Sequence, residues 1–92
     1  MQARARHILV STAADCEKLK SEISAGSDFG ELARQHSQCP SGQSGGDLGT
    51  FGPGQMVREF DEVVFNQPVG EIHGPVKTQF GFHLIEILER DD

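Results

Sequence analysis

No run of apolar residues in this chain is long enough to cross a bilayer, and no positively charged start followed by an apolar stretch marks a leader. A membrane partner is not expected, and the chain is read as staying where it is made. Basic residues are scarce. Eight Lys plus Arg stand against 14 Asp plus Glu, and a net charge of -6 repels phosphate backbones, so nucleic acid is not an expected partner either. Only two cysteines occur, Cys16 and Cys39, where a small chain in an oxidising compartment more often carries a larger even set. A reducing cytoplasm is therefore expected for a free-standing chain; a domain cut from a larger exported chaperone would overturn that reading.

Motifs are missing too. There is no CxxC or HxxxH pair, and one cysteine with two separated histidines leaves a coordination set short, so no metal is expected. The glycine-rich stretch lacks a GK[ST] ending and carries Asp47, which makes it a poor phosphate cradle. No cofactor is expected.

What is present fits one α+β domain over residues 1–92, soluble and of modest stability for its length. Residues 3–10 alternate, with Ala5, His7 and Leu9 on one side and Arg6, Ile8 and Val10 on the other, which predicts a strand. Thr12 and Asp15 resemble a capping box before Cys16, Leu19 and Ile23 at helical spacing, predicting a helix over about 12–25 that Gly26 ends. Asp28 and Glu31 repeat the start signal for a short helix over about 28–36. Leu48–Phe51 predicts a brief strand and Pro53-Gly54 a type II turn. Met56, Val57, Phe60, Val63 and Val64 make one apolar face of a third helix. Val76, Thr78 and Phe80 then alternate along one strand, and 82–88 make the last, with His83, Ile85 and Ile87 on one face.

The organising segment is 39–60, CPSGQSGGDLGTFGPGQMVREF. Its glycines imply tight turns or close backbone approach, and its isolated Leu48, Phe51, Met56 and Phe60 have too little company to form a core alone. It reads as one wall of an apolar site with Cys39 at the lip. Leu48, Met56 and Phe60 are either core packing or pocket. His7 and His83 lie in terminal strands, which are often neighbours in a small sheet, and each is either a hydrogen-bonded core histidine or part of a site. Thr78 is placed to bond one of these imidazoles. Cys16 reads as core. Cys39 is open to three roles: nucleophile, metal ligand or weak hydrogen-bond partner. A hydrolase built on it would have Asp47 as its sole nearby acid. His36 reads as a helix-end residue and His73 as a turn residue.

HILV at 7–10, DFGELA at 28–33, GGDLGTF at 45–51, GQMVREF at 54–60 and GPVKTQFGFHLIEI at 74–87 together resemble the parvulin-type peptidyl-prolyl cis/trans isomerases, above all the small single-domain bacterial ones. The resemblance covers nearly the whole chain. It implies a four-stranded, mainly antiparallel sheet surrounded by three to four helices. It also implies that Leu48, Met56 and Phe60, with Phe80 beside them, hold a substrate proline ring above a polar network of His7, Cys39, Thr78 and His83. Proline-containing peptides and unfolded or partly folded proteins are the expected partners, met by a monomer. Relatives that demand a phosphorylated residue before proline carry a basic loop after the first strand; here no Lys or Arg lies between His7 and Cys16, so phosphate-directed recognition is not expected. The alternative function is a binding or chaperone module that holds such segments without turning them over.

Overall fold

The structure, a computed structural model, describes residues 1–91. Four strands, β1 (Gln2–Val10), β2 (Asp47–Phe51), β3 (Ile72–Thr78) and β4 (Gly81–Asp91), form one antiparallel sheet in the order β2-β1-β4-β3. Helices α1 (Ala13–Ser24) and α2 (Phe29–His36) follow β1, and α3 (Arg58–Asn66) follows β2. The α+β expectation of a four-stranded antiparallel sheet with surrounding helices holds.

β1 and β4 are the central pair, so their alternation has to serve two cores rather than one core and solvent. Ile8, Val10 and Leu84 pack under Cys16 and Leu19 of α1 and Phe29, Leu32 and Ala33 of α2. Ala3, Ala5, Ile85 and Ile87 pack on the opposite face with Phe51, Phe60 and Val64. Both predicted starts are capped as expected: Thr12 Oγ1 accepts from Asp15 N, and Asp28 Oδ2 accepts from Glu31 N. Cys16 is fully buried, as read.

Three expectations shift. The third helix begins at Arg58, with Val57 extended at its N-cap, so Met56 and Val57 stand in the connection before it rather than on its face. The turn ahead of them is the predicted one, with Gly54 at φ 86° and Gln55 N bonded to Gly52 O. β3 starts at Ile72 and ends at Thr78, so Phe80 lies in the hairpin turn, not in the strand, and is 60% exposed. His73 consequently belongs to β3 and not to a turn; its Nε2 lies 3.0 Å from Pro68 O. Gly74-Pro75 lies inside β3, which is an edge strand whose register shifts between His73 and Val76, where a ladder tolerates a residue without an N–H. Finally, Pro40–Ser44 forms a 3-10 helix that the sequence pattern does not predict.

Gly46 ties this 3-10 segment to the sheet. It has φ 86°, its carbonyl accepts from His7 N at 3.0 Å, and a Cβ there would stand 2.3 Å from His7 O. Only glycine allows so close an approach.

Candidate active site

His7 and His83 lie on the same face of adjacent central strands, one step off register: His7 faces Ile85, and His83 faces Leu9. Diagonal neighbours of this kind are within reach across a ladder. Their Nδ1 atoms are 2.9 Å apart, and the rings are inclined by 15° with centroids 5.1 Å apart. Both side chains are buried. His7 Nε2 is 3.1 Å from Ser41 Oγ, Ser41 Oγ donates to Cys39 Sγ at 3.3 Å, and Thr78 Oγ1 is 2.7 Å from His83 Nε2.

Donor counting gives this chain a direction. Ser41 has one hydroxyl proton, and it goes to the Cys39 sulfur, so Ser41 Oγ accepts from His7 Nε2–H. Neutral His7 then accepts at Nδ1, which requires His83 Nδ1 to carry a proton. His83 Nε2 is left as an acceptor for the Thr78 hydroxyl, whose oxygen accepts from Phe80 N at 3.1 Å. Every proton has one place to go, provided that both imidazoles are neutral.

Burial enforces that condition. Desolvation, with the charge of His83 adding to it, pushes His7 from 6.5 down to about 4. Desolvation also lowers His83, and the Glu59 carboxylate opposes it only in part. Phe60 flanks the pair, its ring edge-on to His7 at 5.6 Å and to His83 at 5.8 Å.

Above the imidazoles opens a cavity of about 390 Å³, walled by Leu48 of β2, Met56, Val57, Phe60 of α3 and exposed Phe80, with Leu9, Gln38, Cys39 and Pro40 completing the rim. Segment 39–60 does supply one wall with Cys39 at its lip. Of the residues singled out from sequence, His7, Cys39, Leu48, Met56, Phe60, Phe80 and His83 line this one cavity, and Thr78 stands behind His83. Cys39 is half-buried and reaches His7 through Ser41 rather than directly. Ser41, Gln38 and Val57 were not singled out. Ser41 sits in the unpredicted 3-10 helix, and its one visible signal is a hydroxyl two residues after the cysteine. Asp47 turns away from the thiol, pairing with Arg4 at 2.7 Å and accepting from Gly49 N, so it does not complete a hydrolase triad. Among the described residues no group of three or more His, Cys, Asp or Glu could hold a metal ion, and no helix is long and apolar enough to cross a membrane.

Comparisons with known proteins agree with this fold. The foldase protein PrsA of Geobacillus sp. is 44% identical over 90 residues, covering 97% of this chain and 33% of that protein. The crystal structure of the peptidylprolyl isomerase PrsA from Bacillus anthracis superposes with a TM-score of 0.94 at 37% identity, over 99% of this chain and 42% of that one. The parvulin of Nitrosopumilus maritimus gives 0.86 at 34% identity, over 96% of both chains. The chain thus spans about a third of the PrsA relative it matches, and that share does not support a cytoplasmic home, which presupposed a free-standing protein. Residues 7–89 match the rotamase family described as the PPIC-type PPIase domain, and with the parvulin fold and the paired histidines in place the chain belongs to that family of peptidyl-prolyl isomerases.

Proposed function

We propose that the cavity over the histidine pair turns X-Pro bonds in peptides and unfolded or partly folded proteins by noncovalent stabilisation of the twisted amide. One observation carries this reading: an apolar cavity is floored by two imidazoles held neutral in a one-way hydrogen-bond chain. The X-Pro bond differs by only about 0.5–1 kcal/mol between its isomers, yet amide resonance sets a barrier of about 18–20 kcal/mol. At the top of that barrier resonance is lost and the carbonyl oxygen carries less negative charge. Moving the bond from water to an apolar, ion-free surface therefore favours the twisted state over the planar one. A preference of about 5–6 kcal/mol corresponds to roughly 10⁴-fold acceleration.

In this reading Leu48, Met56 and Phe60 grip the proline ring, with Phe80 at the rim. Thr78, His83, His7, Ser41 and Cys39 keep the floor rigid and uncharged, and the thiol makes no covalent bond. The cavity lining contains no Lys or Arg, which supports recognition that is not directed by phosphate. Residues 1–92 act as one monomeric module, within a longer folding factor like the PrsA foldase, and the module's compartment is that of the whole factor.

Cis–trans exchange of short X-Pro peptides, followed by NMR, tests the proposal. Wild type should accelerate exchange at catalytic concentration; Met56→Ala and Phe60→Ala should lose most of it, and Cys39→Ala should retain more than Phe60→Ala. Because Phe60 is also core, circular dichroism of each variant accompanies the rates. Binding without acceleration in wild type would leave a peptide-holding module instead.

A further inference from the structure

Met56 is shared by two hollows. On one side it walls the proline cavity; on the other it lines a shallower groove with Pro53, Gly54, Asp61 and Phe65. It is therefore a partition between them, half-buried against the core of that face, and it sits in a connection rather than in a regular element. An unbranched side chain so placed has many rotamers available, and something has to fix where its backbone stands.

That something is on the page. Asp61, in the first turns of α3, reaches back over its own helix start, and its Oδ2 accepts from Gly54 N at 2.5 Å. Gly54 is the left-handed residue of the turn that leads into Met56, and Phe60, the residue before Asp61, lines the same cavity as Met56. One carboxylate thus clamps the turn bearing Met56 to the helix bearing Phe60. The Val57 N-cap contributes no side-chain bond of its own, so this is the bond that joins turn and helix through a side chain. A second observation concerns cost. Asp61 Oδ1 is buried without a hydrogen-bond partner among the described residues. A buried acceptor left unsatisfied is unfavourable, so a carboxylate retained here has a use other than maximal stability.

We infer that Asp61 is a positioning residue for substrate binding: by holding Gly54, it sets the gap between Met56 and Phe60 and so the width of the proline-binding cavity. The inference rests on the isomerase reading only in what fills the gap. Because Met56 would grip the ring alike in the planar and twisted states, loss of the clamp acts on KM more than on kcat.

The test uses Asp61→Ala, Asp61→Asn and Met56→Ala singly, and Asp61→Ala combined with Met56→Ala. Asp61→Ala should raise KM about fivefold with kcat little changed, the effect of losing roughly one hydrogen bond. Asp61→Asn, which keeps an acceptor for Gly54 N, should restore most of it. In the Met56→Ala background Asp61→Ala should add almost nothing. The ¹³C shift of the Met56 methyl, read without any substrate, should move toward the rotamer-averaged value in Asp61→Ala and not in Asp61→Asn. An unmoved methyl signal, equal loss on both backgrounds, or no rescue by asparagine overturns the inference. If wild type fails to accelerate any X-Pro peptide, the isomerase reading falls, whereas the methyl signal still decides whether Asp61 positions Met56.

Discussion

Two imidazoles buried against each other are costly to charge, because an imidazolium there loses its water and a second one would repel the first, and this makes the histidine pair a liability in acid. The unfolded chain takes up a proton at His7 near pH 6.5, whereas the folded chain resists until about pH 4. The folded pKa is the lower one, so the unfolded state binds more protons in that window, and stability falls as pH falls. At about 1.4 kcal/mol per unit, the drop from pH 6.5 to 5 amounts to about 2 kcal/mol from His7 alone, with His83 acting in the same direction. Urea unfolding at pH 7, 6 and 5 should show this slope, before most carboxylates titrate. His7→Gln should flatten it. A wild-type stability unchanged over that range would mean that the pair is not held neutral by burial.

Between elements, the decisive contact is Gly46 against His7, because it joins the segment that delivers Ser41 and Cys39 to the strand that delivers His7. Gly46→Ala introduces both a left-handed alanine and a Cβ inside the His7 carbonyl, and should cost about 2–4 kcal/mol in denaturant unfolding. Gly70→Ala is the control: its φ is 87° but nothing lies within 4 Å of the added Cβ, so only the backbone penalty of about 1 kcal/mol remains. Equal costs would show that close packing at Gly46 is unimportant. The same contrast explains what could be read from sequence. β1, α1 and α2 were legible because alternation and side-chain caps are local signals, and Thr12 and Asp28 do bond the amides expected of them. The 3-10 helix has no periodicity to read, the alternation of Val76, Thr78 and Phe80 gave β3 but placed it a few residues late, and Met56 mimicked helix spacing two residues before its helix begins. In the site, the histidines and the apolar wall were visible as residue types. Ser41 and Asp61 were not, since each acts through a bond to a residue that only the fold brings near.

At the scale of the whole molecule, the sheet is covered on both sides yet has its large apolar hollow on one. α1 and α2 pack over one face, while α3 and the 39–57 segment cover the other and leave the gap over the histidines. The division separates duties: the closed face can be well packed without crowding the cavity, and the open face can tolerate a connection, rather than an element, as part of its wall. The relatives carry the same unit as about a third of a longer protein, an arrangement compatible with a core that is complete on both sides of its own sheet.

β1 and β4 are antiparallel neighbours, and Gln2 pairs with Asp91. Tension applied through the two ends of the domain therefore meets the central ladder at its extremity and opens it one hydrogen bond at a time, like a zip. Force applied instead between Gln2 and Gly81 runs along the two strands and loads the whole ladder together. In single-molecule pulling the first geometry should yield at clearly lower force than the second, and equal forces would contradict this. The domain is thus expected to be mechanically soft along the line through its two ends and stiff along its central strands.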